Sequence, residues 1–366
     1  MRTFDLIVVG AGIVGAACTD AAAAEGLRVA VIEPEAVGGG ATAAAMGHLV
    51  ALDDDPADLA LARYSLGLWE QLRHEPVAEF HRCGTLWLAR TAEDLAAVGR
   101  KAQRLRRAGV DVEEVGARDL YRLEPALAPG LHGGLRVPGE AVVYAPNVAR
   151  FLVERARSRG AELYAGRRAV ALAHGTVVLD DGTRLAGPAL IATGCALSEL
   201  LPMLPLRPRK GHLVITARHP GFIGHQLLEV GYGASAHHAA AASVAFNVQP
   251  RPSGQLLIGS SREFGSPSRE VSLPMLRRML ARAFEYLPGL AALQALRAWT
   301  GFRPTSCDGR PYLGCLPGRA GLWVAAGHEG LGITTALGSA RLLVDLILGR
   351  PCAVDPAPYA PARVMT

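Results

Sequence analysis

Apolar and polar positions alternate along the chain in ways that predict both helices and strands. Leu6 to Val9 is a short β-branched apolar run of the kind that forms a strand buried on both faces. Ile13 to Ala24 carries small and apolar residues without a breaker and predicts a helix, and Arg28 to Ile32 is a second apolar run closing at Glu33. Together they predict a strand–helix–strand unit of about 30 residues. Residues 57–72 place Leu59, Ala62, Leu66 and Trp69 on one helical face. Helices are also predicted over residues 92–108, 147–159, 273–287 and 333–348, and strands over 83–89, 189–192, 213–216, 243–248, 255–259 and 322–325. Residues 169–181 read as a hairpin closed by Asp181-Gly182. Residues 38–55 look too small and flexible for a core element and predict a loop with a short helix. The Gly- and Pro-rich stretch 125–146 predicts a connection between domains.

Composition narrows the class. With 366 residues, half of them hydrophobic, the chain is long enough for two domains with substantial cores. No run of about 18 uninterrupted apolar residues predicts a membrane span. Asp5 and the glycines that follow occupy the first apolar run, which argues against a signal peptide. Six scattered cysteines with no C-x-x-C pair argue against a disulfide scaffold or zinc site and fit a reducing cytoplasm. His237-His238 has no carboxylate or third ligand nearby in sequence, so no metal site is expected. The net charge of +5 raises nucleic acid as a partner, but the only lysines are Lys101 and Lys210. Arginine enrichment with lysine depletion reads as compositional bias, and Arg104-Leu-Arg-Arg107 falls on a solvated helix face, so nucleic acid is not expected as the main partner.

The chemistry sits first in Gly10, Gly12 and Gly15, which match G-x-G-x-x-G between a predicted strand and helix. The first glycine permits the tight turn, the second lets backbone approach a pyrophosphate, and the third lets helix pack on strand. The helix N-terminus offers N–H groups to phosphate, and Glu33 at the end of the second strand can accept hydrogen bonds from ribose hydroxyls. A second strand, 189–192, stops at Thr193-Gly194, and a third glycine cluster precedes the last helix near residues 327–335. Dinucleotide signals in three separated segments favour FAD over a nicotinamide cofactor held by one contiguous domain.

These motifs, IATG, GFRPTSCDGRPYLG and WVAAGHEGLGITTALGSARLLVDLI together, resemble the D-amino-acid oxidase superfamily of FAD flavoproteins over nearly the whole chain. The similarity is closest to the glycine oxidase, sarcosine oxidase and hydrogen cyanide synthase branch. The stretches AAAMGHLVALDD and VAFNVQPRPSGQLLIGSSREFG look most like flavin-dependent D-hydroxyproline dehydrogenases. The resemblance implies an α/β fold: a discontinuous Rossmann-like FAD-binding domain (1–80, 140–207 and 303–366) and an α+β substrate-binding domain (81–139 and 208–302) built on an antiparallel sheet. It implies oxidation of the alpha C–N bond of a small D-amino or cyclic imino acid, such as cis-4-hydroxy-D-proline, by hydride transfer to flavin N5.

The expected cofactor-binding residues are Gly10, Gly12, Ile13, Val14, Gly15, Glu33, Pro34, Ala41, Thr42, Met46, Gly47, His48, Val170, Ala192, Thr193, Gly194, Arg303, Gly330, Leu331, Gly332, Ile333 and Thr334. Arg303 matches the arginine that grips the substrate carboxylate in glycine-oxidase-like members, and a guanidinium suits that role because its planar fork never deprotonates. His48 and Asn247 are the other expected catalytic residues, Asn247 standing roughly where such members carry a tyrosine. Neither Cys307 nor Cys315 aligns with a flavin-linked cysteine, so the FAD is expected to be noncovalent. The expected partners are the amino or imino acid and an electron acceptor: quinone, oxygen or a partner subunit. Two alternatives stay open: a tRNA-modifying oxidoreductase acting on a carboxymethylaminomethyl group, and a flavoprotein subunit of a hetero-oligomeric dehydrogenase.

Overall fold

The computed structural model describes residues 1–52, 54–173, 175–231 and 242–365; the His237-His238 pair lies outside them. The first unit forms as the apolar pattern predicts, with strand Leu6–Val9, helix Ile13–Ala24 and strand Val29–Glu33. All four residues of the first strand are buried, because it lies inside a six-stranded sheet. The order there is Tyr312–Cys315, Leu322–Ala326, Ala189–Ile191, Leu6–Val9, Val29–Glu33, Glu162–Ala165. Every pairing in it is parallel except that of Tyr312–Cys315 with Leu322–Ala326. One face is covered by helices Ile13–Ala24, Ala145–Ser158 and Gly332–Ile347, whose apolar residues join it in a single core. The other packs Ile7, Val9 and Ile32 against Val177, Leu179 and Leu185 of a smaller sheet. Parallel strands buried on both faces account for the continuous apolar runs.

An eight-stranded sheet forms the second layer, in the order Ala295–Ser306, Leu206–Arg218, Gln255–Phe264, Ser243–Pro250, Gln226–Glu229, Thr85–Ala89, Gly133–Val137, Glu113–Gly116. It is antiparallel except where Gln226–Glu229 runs parallel to Thr85–Ala89. Helix Leu273–Tyr286 covers one face with Met279, Ala283 and Tyr286 over Phe246 and Val248. The alternate residues Leu228, Asn247, Gly259 and Leu213 belong to the opposite face.

Four expectations change. Gly133–Val137 lies between two other strands of the large sheet, so the glycines that read as a connection open a core strand. Within residues 38–55, Leu49, Val50, Ala51 and Leu52 are buried, and His48–Leu49 pairs with Ala141–Val142. Asp181-Gly182 turns between Thr176–Leu179 and Arg184–Ala186, one strand later than predicted. Strand Ala295–Ser306 was not predicted at all; it carries Pro304 and lies at the sheet edge, where a missing N–H is tolerated. Among the described residues, Glu329–Ile347 is long and apolar enough to cross a membrane by composition, although no uninterrupted apolar run marks it. Yet 61% of that window is buried inside the fold, where it forms part of the core.

Candidate active site

The two large sheets enclose a cleft of about 410 Å³ between them. Its first wall is the glycine turn. Gly10 has φ +102°, and a Cβ there would stand 2.6 Å from the carbonyl oxygen of Ala192. A Cβ on Gly15 would stand 1.9 Å from the carbonyl oxygen of Gly10. The turn is therefore pinned between the helix behind it and the strand ending at Ile191. Gly15 supports the wall without lining it, while Gly10, Gly12, Ile13 and Val14 line it. The Ala11 amide donates to Glu33 Oε2 at 2.8 Å and the Glu35 amide to Oε1 at 2.9 Å. The carboxylate thus fixes the turn and keeps lone pairs for a ligand. Thr42 Oγ1 accepts from the Ile13 amide at 3.0 Å, closing the helix start from the neighbouring segment.

Most of the remaining expected residues also meet here. Glu33, Pro34, Ala41, Thr42, Met46, Gly47, His48, Ala192, Thr193, Gly194, Arg303, Gly330, Gly332 and Ile333 line the same cleft. Thr193 Oγ1 is buried with no hydrogen-bond partner in the protein. A buried hydroxyl facing a cleft is matched by a polar ligand group there, so the cradle and this oxygen fit a dinucleotide.

Four expected residues lie elsewhere. Val170 is 51% exposed, and its neighbours Arg168 and Ala169 take the wall position. Leu331 packs against the cluster of Val50, Trp87 and Leu228. Thr334 is fully buried; its Oγ1 donates to the His48 carbonyl at 3.1 Å and accepts from the Val50 amide at 3.3 Å. Asn247 is fully buried and absent from the cleft wall. It sits between Leu228 and Gly259 in the sheet, and neither of its amide atoms has a partner. Cys307 and Cys315 are exposed and away from the wall, whereas Cys195 lines it.

The wall supplied by the large sheet is cationic. Arg303 donates from Nη1 to the Ser261 carbonyl at 3.2 Å, and Arg262, the next residue, lines the cleft with a side chain 4% exposed. Glu329 Oε1 lies 3.6 Å from Arg262 Nε and 3.8 Å from Arg209 Nη1, which stands behind the wall. Glu329 has φ +46°, a left-handed conformation unusual for a non-glycine residue, at the turn opening the last helix. Burial pushes the His48 ring down to about 4, with Arg303 and Arg262 adding in the same direction against a hydrogen bond to Gly330 and the charge of Glu329. His328 is likewise pushed down to about 4 by burial, and its Nε2 lies 3.1 Å from Ser339 Oγ. Both rings are neutral near pH 7. The sequence reading assigned Glu329 no definite role and missed Arg262, Arg269 and Gly211. Gly211 shares the alternation that turns Leu213 toward the cleft in strand Leu206–Arg218, whereas Arg262 lies past a break in the register of strand Gln255–Phe264 and Arg269 lies beyond that strand, so the pattern gave neither a signal.

The chain matches the family described as FAD dependent oxidoreductase over residues 5–346. Glycine oxidase of Pseudomonas aeruginosa is 32% identical over 381 residues, covering 98% of each chain. The crystal structure of glycine oxidase from Geobacillus kaustophilus matches with a TM-score of 0.87 at 29% identity, covering 98% of both chains. That of iminodiacetate oxidase from Chelativorans sp. BNC1 matches with a TM-score of 0.83 at 27% identity, covering 97% of this chain and 98% of that one.

Proposed function

This chain belongs to the D-amino-acid oxidase family of FAD-dependent oxidoreductases, enzymes acting on C–N bonds, and from that premise we propose that it oxidises the alpha C–N bond of a small D-amino or cyclic imino acid. The observation that carries this reading is Arg303 on the wall of the same cleft that Gly10, Glu33 and Thr193 line. Bound FAD supplies a two-electron acceptor. Arg303 binds the substrate carboxylate through its planar fork and so fixes the alpha C–H bond relative to the cofactor. His48, neutral near pH 7, forms a polar wall that adds no charge against the amine. Met46, Leu213, Leu228 and Phe302 present apolar surface that excludes water. Helix Gly332–Ile347 brings its N-terminus to the cleft through Gly332 and Ile333, and its positive dipole end would stabilise negative charge on a reduced flavin bound there.

The division into a cofactor domain (1–80, 140–207 and 303–366) and a substrate domain (81–139 and 208–302) is part of the proposal. The separate six- and eight-stranded sheets support two domains, although strands Leu206–Arg218 and Ala295–Ser306 of the large sheet run across the bounds at 207/208 and 302/303. A noncovalent flavin is supported by the exposed positions of Cys307 and Cys315 away from the cleft, and a reducing cytoplasm by the free cysteines. Quinone or oxygen is the proposed electron acceptor. The name of the Chelativorans relative extends the substrates to be tested to iminodiacetate.

The test is anaerobic reduction of the bound flavin by glycine, sarcosine, D-alanine, D-proline, cis-4-hydroxy-D-proline, D-aspartate and iminodiacetate. Bleaching by at least one of them at a saturable rate is expected. A flavin that stays oxidised with all of them overturns the proposal.

A further inference from the structure

The Ser261 carbonyl that accepts from Arg303 Nη1 at 3.2 Å belongs to a residue that is itself fixed by a neighbouring strand. Ser261 is fully buried, and its hydroxyl meets His212 twice. The His212 amide donates to Oγ at 2.9 Å, and the His212 ring Nδ1 lies 2.9 Å from the same oxygen. His212 stands between Gly211 and Leu213, both on the cleft wall, but is absent from that wall and fully buried. Its ring turns to the opposite face of the sheet, where Val214 packs in one core with Met279 of helix Leu273–Tyr286. There Nε2 accepts from the Ser272 amide at 3.0 Å. Ser272 caps that helix, its hydroxyl accepting from the Met275 amide at 3.4 Å.

These contacts assign the ring proton. A backbone N–H only donates, so Nε2 is unprotonated and the neutral ring carries its hydrogen on Nδ1. Nδ1 therefore donates to Ser261 Oγ. Burial lowers the ring's pKa and keeps it neutral, with Lys210 and Arg303 acting in the same direction against Glu263. The backbone beside it is irregular. Lys210 pairs with Glu263 and Val214 with Ile258, so three residues, 211–213, face four, 259–262. Such an extra residue interrupts the regular ladder, and the two bonds from His212 to Ser261 Oγ tie the strands together across the interruption. Ser261 thus gives its hydroxyl to His212 and its carbonyl to Arg303.

We infer that His212 is a positioning residue for substrate binding: its ring fixes Ser261, and Ser261 in turn holds Arg303 in the orientation that takes the substrate carboxylate. This rests on the amine-oxidation reading for the role of Arg303 as carboxylate anchor. The path runs from the helix cap at Ser272 through His212 and Ser261 to Arg303 by hydrogen bonds whose donors and acceptors are all assigned. Without the Nδ1 bond the extra residue loses a fixing point, and the Ser261 carbonyl is free to turn away from the guanidinium. A planar fork aligned with a planar carboxylate tolerates little rotation, so the anchor weakens although its charge is unchanged. A purely structural His212 would act instead through Nε2, which completes the start of the helix.

The two ring nitrogens are tested separately in the holoenzyme. In His212→Asn the carboxamide stands where Nδ1 does, keeping the bond to Ser261 and losing the acceptor for Ser272. In His212→Gln the longer side chain keeps an acceptor for Ser272 and loses the bond to Ser261. Acetate and propionate are titrated against the flavin spectrum, without turnover. Wild type should show a saturable perturbation, and a wild type that shows none overturns the inference. His212→Asn should bind each acid within about threefold of wild type and His212→Gln at least about tenfold more weakly, with flavin content intact in both. The reverse order assigns His212 to helix capping and overturns the inference, as do equal affinities in the two variants. If either variant fails to fold, Ser261→Ala decides: it should weaken acetate at least about tenfold, and unchanged affinity overturns the inference. With an amine that bleaches the flavin, His212→Gln should raise KM by a larger factor than it lowers kcat; a loss confined to kcat overturns the inference. If no amine bleaches the flavin while the order of acetate affinities holds, the amine-oxidation reading fails and the positioning of Arg303 stands.

Discussion

Thr334 and His48, 286 positions apart, are joined by a hydrogen bond of 3.1 Å from the threonine hydroxyl to the histidine carbonyl. The same hydroxyl accepts from the Val50 amide, and the Thr334 carbonyl accepts from Trp69 Nε1 at 3.1 Å. One buried residue of the last helix thus fastens the segment that places Met46, Gly47 and His48 on the cleft. Thr334→Val keeps the shape, removes both hydroxyl bonds and leaves a buried amide without its acceptor. Stability should fall by roughly 1–3 kcal/mol, read as a lower urea midpoint, and Thr334→Ser should recover most of it. An unchanged midpoint in the valine variant would show that the segment is held by packing alone.

Glu33 fixes the glycine turn through two backbone amides and faces the cleft. Glu33→Ala should therefore weaken FAD binding by more than one hydrogen bond to a charged acceptor, which is worth roughly 1.5–3 kcal/mol. Titration of apoprotein with FAD, followed by flavin fluorescence, should show at least about a tenfold higher Kd. Normal affinity with reduced turnover would move Glu33 out of the cofactor site.

Arg303→Lys separates substrate anchoring from folding. Lysine keeps the charge but loses the planar fork and its bond to the Ser261 carbonyl. The expected fall in kcat/KM is at least about a hundredfold, or roughly 2.7 kcal/mol, with flavin content and spectrum near wild type. Loss of flavin or of folding would instead make Arg303 a strut between strands.

Stability should depend on pH through two neutral histidines, His328 in the core and His48 on the cleft wall. His328 has its pKa pushed down to about 4 from an ordinary value of about 6.5. Above about 6.5 neither state is protonated and the group adds no slope. As pH falls from there toward 4, the unfolded chain takes up a proton that the folded one refuses, so stability declines, by up to roughly 3 kcal/mol for this residue. His48 acts with the same sign over the same window. Urea midpoints of the apoprotein between pH 7.5 and 5 should fall, and His328→Gln should flatten the slope. An equal slope in the variant would assign the effect to other groups.

The glycine-turn wall of the cleft was legible because its glycines, strand and acid are consecutive in sequence and each has a local reason to be there. Gly10, Gly12 and Glu33 could be placed from spacing alone. Arg262 was not legible, since its place on the wall depends on where the register of strand Gln255–Phe264 breaks against its neighbour. Asn247 shows the limit from the other side: its position in the sheet row was right for a cleft residue, but Leu228 reaches the wall and Asn247 does not. Strand Gly133–Val137 was missed because glycine signals flexibility in sequence and close backbone approach in a packed sheet.

The order of strands in the six-stranded sheet also governs when the protein can acquire its cofactor during synthesis. Strand Leu6–Val9, whose turn begins the cradle, pairs with Ala189–Ile191, which in turn pairs with Leu322–Ala326. As the nascent chain leaves the ribosome, its glycine turn must wait for more than 300 further residues before the sheet can be completed. A chain halted before the last helix lacks Gly330, Gly332 and Ile333 from the wall. Retained flavin colour is therefore a readout of translation through the last helix, and products cut short before it should emerge colourless and exposed to degradation.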